Sequence, residues 1–591
     1  MGFSFCRWVL VVLMSAASVA HAGGTLIYNV NGHTMAAGAR VDFIAIEYSN
    51  GLIERLYTDE QSVQGSLAEH RIDGKGSTLL PGLIDAHGHI SSLGASLRSV
   101  DLTGAASETE AAQRVQQFSG DDSAADQSWI QGRGWNQVLW PERQFPDRRS
   151  LDAVAPNRPV ALSRVDGHAM WVNSKALALA GIDASTPDPE GGQIIRDRSG
   201  EPSGVLVDNA MDLVFEAIGV ASLEAVEADI VRGLEAAAAT GLTLVHDAGV
   251  SAQEVQAYRN LQAAGRLPIR VYPMLSVLDP DNDPLLAEGP FRSEDGMLHV
   301  RSVKISADGA LGSRGAALHR DYSDMPDHTG LLLLSDEELS QHIGRSAQAG
   351  FQVNVHAIGD LANTRVLEKF ADINQSPKIR AQRHRVEHAQ ILRPQDINQF
   401  AKLDVIASIQ PTHATSDKNM AEDRLGASRL EGAYAWNTLL RSQARLAGGS
   451  DFPVEPANPL YGLHAAVTRT DREGEPLGGW RPEEKLSPAE ALSLFTEWAA
   501  YAGHEEEFLG RLAPGFAADF VLVKDDFFAQ SEQAIWQNEV LATVVAGKVS
   551  IGVPPAQCEP KTSVHSGFCA TCWRDHGPPN MCLLGLGYIQ A

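Results

Sequence analysis

The chain has 591 residues and a formal net charge of −26 at pH 7, with 44% hydrophobic and 21% charged residues. The composition is ordinary for a globular protein, and the length exceeds one ordinary domain, so we expect a large domain with at least one smaller unit. The acidic excess argues against non-specific binding to nucleic acid or to anionic membranes, because both need a basic surface.

The first 22 residues are typical of a secretory signal peptide. Arg7 precedes an apolar segment that runs from Trp8 to Met14 and continues through small residues to Ala22. The segment is too short to span a membrane comfortably, and its Ala-x-Ala end predicts cleavage after Ala22. We therefore expect a periplasmic or secreted protein with no integral membrane segment after cleavage; the alternative is an uncleaved anchor.

Short alternating apolar runs at both ends of the chain predict one small β-sandwich, built from residues 23–77 and 504–555. Glycine or Asn-Gly turns separate the runs. We expect the two ends to pack together beside the main domain. The runs are Thr25–Tyr28, Val41–Ile46, Asp519–Val523 and Val540–Val545.

Residues 78–503 alternate helical stretches with short apolar strands, which predicts a parallel α/β sheet. Leu223–Thr240 and Asp336–Ala349 are two such helices, each followed by glycine and then a strand. Polar residues follow several strands, and a (β/α)₈ barrel of TIM type has its active site at that end. Residues 94–202 are too many for a helical crossover, so we predict an inserted subdomain that covers the site.

The strongest chemical motif is a His-x-His pair, His87 and His89, directly after the apolar run Leu79–Ile84. Side chains two apart in an extended strand point to the same side, so both imidazoles could reach one metal ion. Alone, such a pair could equally be two polar residues in a surface loop.

Other predicted strand ends carry further residues that suit a metal site. Each alone has a simpler interpretation, as a histidine satisfied in the core, a lysine reaching solvent or a capping aspartate. Together with the His-x-His pair they predict a metal centre. His246 and Asp247, at another strand end, are interpreted as supporting the ligands from behind or as structural. The further candidates are Lys304, His356, His388 and Asp451.

These motifs resemble the amidohydrolase superfamily, and specifically its amidohydrolase-3, YtcJ-like branch, which includes N-substituted formamide deformylases. The resemblance extends over about residues 24–550, with the motifs in the family's order. The matching motifs are PGLIDAHGH at 81–89, DGHAMWVNSKAL at 166–177, GEPSGVL at 200–206, KISADGALGSR at 304–314, VHAIGD at 355–360, RVEHAQ at 385–390 and GSDFPVEPANPL at 449–460.

The resemblance implies a ligand set for one or two divalent metal ions. His87 and His89 would bind the more buried ion, and His356 and His388 the second. Lys304 would bridge them as an N-carboxylated lysine, a modification that a buried lysine, with its readily shifted pKa, makes accessible. Zinc is the expected metal, with iron and manganese as alternatives. Asp451 would contact the attacking water and act as general base, then as general acid.

Further residues are candidates for contacts to the substrate. His168 and Arg314 are predicted donors to the developing oxyanion, the alternatives being a capping or packing role for His168 and a structural ion pair for Arg314. Trp135 and Trp171 could line an apolar pocket, although core packing is the commoner fate of tryptophan. We expect Asp308 to orient ligands from behind.

We therefore predict a metal-dependent hydrolase of a non-peptide C–N bond, such as an amide or an N-substituted formamide. The alternatives are a lactonase or esterase, a metal-dependent isomerase, and a non-catalytic binding protein. The expected partner is a small-molecule substrate rather than nucleic acid, and a homodimer is our hypothesis for the oligomeric state.

The tail, residues 556–591, lies outside the resemblance and carries all four cysteines of the mature chain. An even number of cysteines in an exported protein predicts two disulfides, whose pairing the sequence leaves open. A zinc site that includes His565 or His576, or free thiols, are the alternatives. The cysteines are Cys558, Cys569, Cys572 and Cys582.

Overall fold

An eight-stranded parallel barrel forms the centre of the molecule, in agreement with the predicted TIM-type fold. Each strand pairs in parallel with its neighbours in chain order. The computed structural model describes residues 24–36, 39–119, 128–137, 140–164, 169–189, 192–219, 221–312 and 314–552. The barrel strands are β1 (Leu83–Gly88), β2 (Leu242–Val250), β3 (Arg270–Ser276), β4 (Ser302–Ser306), β5 (Gln352–Ala357), β6 (Arg385–His388), β7 (Ile406–Ile409) and β8 (Arg445–Gly448).

The first and last barrel strands meet at their carboxyl ends. The amide of Asp451 donates to the carbonyl oxygen of His87 over 2.7 Å, and the amide of His89 donates to the carbonyl oxygen of Phe452 over 2.8 Å. A Cβ atom on Gly449 would lie 2.6 Å from the amide nitrogen of His87, so this approach requires glycine. The contact places His87 and Asp451 next to each other.

Helices separate most of the barrel strands and cover the barrel's outer face. Several begin where the sequence supplies a capping serine: Ser251, Ser335 and Ser487 each form a capping box with a glutamate three residues later. The helices of this region are Ile90–Leu97, Leu223–Ala239, Ala252–Ala263, Asp283–Glu288, Asp336–Gln348, Asp360–Ile373, Pro377–Arg380, Pro394–Leu403, Pro411–Asp417, Ala421–Leu425, Trp436–Arg441, Pro459–Thr468, Pro488–Leu494 and Glu497–Ala502, with short 3₁₀ turns at Pro280–Asn282, Ala427–Gly432 and Pro482–Glu484.

Strands from both ends of the chain hydrogen-bond into a single sheet beside the barrel. An apolar cluster in this sheet contains residues from both ends, among them Ile27, Ile46, Phe520 and Val544. The strands are Thr25–Ala36, Ala39–Ser49, Leu52–Tyr57, His70–Asp73, Thr78–Pro81, Phe520–Val523, Val540–Val545 and Lys548–Gly552, with helix Glu60–Gln64 and the 3₁₀ turn Glu532–Gln537.

A buried ion pair ties this end sheet to the barrel. Arg270, the first residue of β3, donates from Nε and Nη2 to the carboxylate of Asp519 over 2.7 and 2.9 Å. Both side chains are almost fully buried, and Asp519 also accepts the amide of Ala546 over 2.7 Å. Because these charges are removed from water, each depends on the other for its stabilisation.

A separate six-stranded sheet lies in the sequence between β1 and β2. Its core contains three tryptophans, Trp135, Trp140 and Trp171, whose ring centroids are 6.1 to 6.4 Å apart. The strands are Val100–Asp101, Ile130–Trp135, Val160–Arg164, Ala169–Val172, Gly192–Arg196 and Pro202–Asp208, with helices Glu108–Ser119, Arg148–Val154, Ser174–Leu179 and Asp212–Ile218 and the 3₁₀ turn Asn209–Met211; a two-stranded ribbon, Phe291–Arg292 with His299–Val300, lies before β4.

Some sequence-based predictions fall outside the described residues. These are the signal peptide of residues 1–22 and the cysteine-containing tail of residues 556–591. The predicted domain boundaries stay predictions. Among the described residues, no helix combines the length and apolar character needed to cross a membrane.

We expect replacement of Asp519 by alanine to lower the free energy of unfolding by about 3–5 kcal/mol, because it leaves the Arg270 guanidinium buried without its partner. Chemical denaturation of wild type and variant measures the difference. The matched control is Glu539→Ala, which removes the exposed partner of Lys524 and should cost less than about 1 kcal/mol. Equal effects of the two variants would contradict the structural role of the buried pair.

Candidate metal centre

The predicted ligands converge at the carboxyl ends of the barrel strands. The Nζ atom of Lys304 lies 3.1 Å from Nε2 of His87, and Nε2 of His89 lies 3.0 Å from Oδ1 of Asp451. The ring centroid of His388 lies 4.9 Å from that of His87 and 4.5 Å from that of His356. The structure thus brings together all six predicted ligand residues, whose role as ligands stays a prediction.

Hydrogen bonds on Nδ1 orient three of the histidines. An acceptor at Nδ1 holds the proton on that nitrogen and leaves the Nε2 lone pair directed into the site, as in the second shell of metal centres. The Nδ1 contacts are His87 to Oε2 of Glu387 at 2.6 Å, His89 to the carbonyl oxygen of Ala248 at 2.9 Å, and His388 to Oε1 of Gln410 at 2.8 Å.

A further histidine, His413, lies in the same cluster. It belongs to helix Pro411–Asp417, which begins directly after β7, and its ring stacks on that of His388 with an interplanar angle of 9° at 5.9 Å. Two triads have all their ligand atoms within 4.8 Å of one another: His87, His89 and Asp451, and His388, His413 and Asp451.

The donor atoms fit a divalent cation. The Nε2 atoms of His356 and His413 are buried and have no hydrogen-bond partner among the described residues, which is costly unless another group satisfies them. Nε2 of His89 faces the carboxylate of Asp451 while its Nδ1 faces a carbonyl oxygen, so the neutral ring cannot donate to both. A shared cation would satisfy these nitrogens, and imidazole with carboxylate is a donor set that zinc accepts.

Lys304 is a buried lysine in β4. Burial lowers the pKa of its ammonium group, while the carboxylates of Glu387 and Asp451 oppose the shift. The net direction favours the neutral amine, which is the form that can react with carbon dioxide.

Glu387 lies behind His87 in the barrel interior. Its side chain is fully buried, and burial raises its pKa, which the charges of Arg385 and Lys304 oppose. Arg385 lies deeper and donates from Nη1 to Nδ1 of His246 over 3.1 Å. His246 thus faces the barrel interior and the Arg385 guanidinium.

Buried carboxylates fix the backbone around the site. Asp85 accepts the amide of His87 over 3.0 Å and the hydroxyl of Ser450 over 2.6 Å, and burial raises its pKa to about 7. Asp308 accepts three backbone amides over 2.7 to 2.9 Å, and its Oδ1 lies 3.5 Å from Nε2 of His356. These contacts hold the strand ends that carry His87 and His356 and the segment after β8 that carries Asp451.

Asp451 occupies an unusual position after β8. Its φ angle is 62°, in the left-handed region that costs free energy for a residue with a side chain. Burial opposes the charged form of its side chain, whereas the surrounding imidazoles of His89, His87 and His388 favour it, and the net direction of its pKa is well below the ordinary value. This direction favours the carboxylate form, which is the form that binds a cation.

The residues predicted to contact the substrate lie in different surroundings. The Arg314 guanidinium donates to the carboxylate of Asp324 over 3.1 and 2.8 Å at the surface, so it forms an ion pair, and its contact with substrate stays a prediction. His168 lies outside the described residues. Trp135 and Trp171 are fully buried in the core of the inserted sheet, so they pack rather than line a pocket.

Sequence reasoning missed His413, Glu387 and Gln410. A signal existed for His413, because Gln410-Pro411-Thr412-His413 follows the apolar run Val405–Ile409, as the other candidate ligands follow apolar runs of their own. No local signal existed for Glu387, since its partner His87 is 300 positions away in the chain.

Two larger cavities lie away from these residues. One of about 680 Å³ is lined by Asp404, Arg445 and Trp498, beside the amino-terminal end of β8. Another of about 870 Å³ lies between the barrel helices and the end sheet, where Gln262, Met297 and Val549 line it. Neither is lined by a residue of the His-Lys-Asp cluster, so cavity size does not mark the candidate site.

Comparison with known sequences finds relatives that are described as amidohydrolases or as a deformylase. A sequence profile described as the amidohydrolase family matches residues 71–551. YtcJ of Bacillus subtilis (strain 168) is 32% identical over 87% of this chain and 96% of its own length. The protein LONG AFTER FAR-RED 3 of Arabidopsis thaliana is 34% identical over 80% of this chain and 82% of its own, and the N-substituted formamide deformylase of Arthrobacter pascens is 27% identical over 85% and 94%.

Among solved structures, a similar fold occurs in an uncharacterised metal-dependent hydrolase from Pyrococcus furiosus. The TM-score is 0.71 at 27% sequence identity, and the match covers 85% of this chain and 100% of that one. The fold of this chain is therefore similar to that of a protein described as a metal-dependent hydrolase.

We expect Glu387→Gln to weaken divalent-metal binding about 10- to 100-fold, because the amide is a weaker partner for the Nδ1 proton of His87. Titration of the metal-depleted protein with zinc against a competing chelator measures the affinity. Glu505→Gln is the matched control, since Glu505 forms a similar buried contact of 2.6 Å with Nδ1 of His299 outside the cluster. Equal affinities for Glu387→Gln and wild type would show that Glu387 has no influence on the metal.

Proposed function

The chain belongs to the amidohydrolase family, and from this membership we propose that it hydrolyses a small-molecule amide or N-substituted formamide with one or two divalent metal ions. The coarser class, a metal-dependent hydrolase of this family, follows from the comparisons. The observation that carries the finer proposal is the convergence of histidine Nε2 atoms and the Asp451 carboxylate at the strand ends.

A C–N bond is favoured over an ester by the needs of the leaving group. An amine leaves only when its nitrogen gains a proton, whereas many alcohols of esters depart more readily. Asp451 is a buried carboxylate among the candidate ligands and could transfer that proton. The relative from Arthrobacter pascens, whose name is N-substituted formamide deformylase, supports the same bond type.

The site residues have distinct proposed roles. A divalent cation held by the histidines would supply Lewis acidity and lower the pKa of the attacking water. Asp451 accepts the proton of this water as its oxygen adds to the carbonyl carbon. The same proton then passes from Asp451 to the nitrogen as the C–N bond breaks, which gives an amine and a carboxylic acid, formic acid in the case of a formamide.

We propose that Lys304 is N-carboxylated. Its neutral amine would add to carbon dioxide and release one proton, forming a carbamate with a single negative charge. The nitrogen is kept and two oxygens that share the negative charge are added to a side chain whose Nζ lies 3.1 Å from Nε2 of His87, and an anion would stabilise a cation there better than an amine does.

We further propose that the metal is zinc, that the protein is exported to the periplasm or the medium, and that it forms a homodimer. Zinc suits the histidine and carboxylate donors, and export rests on the signal-like residues 1–22.

We expect Asp451→Asn to lower kcat for N-formyl and N-acyl amines by about 10² to 10⁴-fold, because the amide cannot accept the proton. Release of amine from a panel of amides, with matched esters and lactones, measures the loss and the bond type. Faster turnover of the esters by wild type would replace the C–N proposal with the esterase alternative.

We expect Lys304→Ala to lower both metal content and activity, and added short carboxylates to restore part of the activity by occupying the vacated position. Metal analysis and the rescue assay measure the two effects. A Lys304→Ala protein that keeps its full metal content would show that Lys304 is structural.

Arg314→Ala separates a substrate contact from a structural ion pair. If Arg314 binds substrate, we expect KM to rise about tenfold or more in this variant, since a hydrogen bond to a charged group contributes about 1.5–3 kcal/mol. Asp324→Ala is the control, because it removes the same ion pair, together with the contact between Asp324 and Arg424, and leaves the Arg314 guanidinium in place. Similar KM values in the two variants would assign Arg314 to loop structure alone.

A further inference from the structure

His413 is the one histidine of the described cluster that the family resemblance does not assign. It is nine-tenths buried, and its Nε2 atom has no hydrogen-bond partner among the described residues. The nearest acidic atom to this nitrogen that the structure records is Oδ2 of Asp451, at 3.6 Å. An imidazole nitrogen in this environment is stabilised only if another group contacts it.

The distance between Nε2 of His413 and Oδ2 of Asp451 fits two ligands of one metal ion better than it fits a hydrogen bond. At 3.6 Å the two atoms are too far apart for a hydrogen bond. Two donors at about 2.1 Å from one tetrahedral zinc ion lie about 3.4 Å apart. The separation between Nε2 of His87 and Oδ1 of Asp451, 3.5 Å, is of the same kind.

The two oxygens of Asp451 face different histidines. Oδ1 lies 3.0 Å from Nε2 of His89 and 3.5 Å from Nε2 of His87, while Oδ2 lies nearest His413. His388 completes the second group: its Nδ1 is held by Gln410, so its Nε2 is the free ligand atom.

We propose that His388, His413 and Asp451 form a binding site for a divalent cation such as zinc or cobalt, with His413 as a direct ligand. The inference deepens the proposed hydrolase function and rests on it. It differs from the ligand set implied by the family resemblance, in which His356 and His388 hold the second ion. Oδ1 of Asp451 faces His87 and His89, and Oδ2 faces His413.

The local structure supports a fixed position for His413. Pro411 starts the helix that carries it, directly after β7, and the His388 ring packs parallel to it. Asp417, one helical turn further, is near enough for an electrostatic interaction with His413 and is held by the hydroxyl of Tyr434 at 2.7 Å and the amide of Gln390 at 3.0 Å.

The test is metal binding by the full chain with His413→Gln. Metal-depleted wild type and variant are titrated with zinc against a chelator and with cobalt followed by visible absorption, which responds to the ligands of the ion. We expect the variant to lose one ion per chain, or to bind one ion at least about tenfold more weakly, with a changed cobalt spectrum. His342→Gln is the control, because it removes a half-buried histidine on an outer helix.

A second variant, His413→Asn, and thermal unfolding of all the proteins in the metal-free form show whether a loss of metal binding is caused by a folding defect. Unchanged stoichiometry, affinities and cobalt spectrum in a folded variant would overturn the inference, even if KM or kcat changed, because His413 would then contact substrate. A wild type that binds no divalent ion and shows no metal-dependent turnover would instead refute the proposed function itself. The two failures are thus distinguishable.

Discussion

The close approach of the first and last barrel strands is the constraint on which the rest of the site depends. Gly449 passes so near His87 that a side chain would not fit, and Asp85 links the two strands by accepting the amide of His87 and the amide and hydroxyl of Ser450. Because the ring closes here, residues more than 350 positions apart lie within 3.0 to 3.5 Å of one another.

Closure of the barrel places many ionisable groups in an interior from which water is largely removed. Burial lowers the pKa of His87, His356 and His388, and it raises the pKa of Glu387 and of Asp85. Neutral imidazoles beside carboxylates form a poor hydrogen-bond network and a good ligand set, since each imidazole then offers a lone pair. A bound cation would satisfy the free imidazole nitrogens and the carboxylates of this site, whereas burying them without a cation costs free energy of folding. The electrostatics of this chain therefore agree with its membership of a family of metal-dependent hydrolases.

Much of the fold and part of the site could be predicted from the sequence. Period and length of apolar runs predicted the barrel strands and helices, with Leu223–Ala239 and Asp336–Gln348 ending within a residue of expectation. The alternation of a strand predicted that the side chains of His87 and His89 point to the same side, and both Nε2 atoms face Oδ1 of Asp451. Arg314 shows the limit: its loop carries the expected motif, yet its guanidinium is paired with Asp324, which no local pattern could indicate.

The sequence by itself determined which residues end the barrel strands, because hydrophobic periodicity, capping residues and glycines act over a few positions along the chain. Only the tertiary structure decided which of these ends meet, which nitrogen of each histidine is free, and that His413 joins the cluster. The physical reason is that ligand geometry depends on contacts between distant strands. A hydrogen bond such as that between His87 and Glu387 forms only when the strands of the barrel have come together.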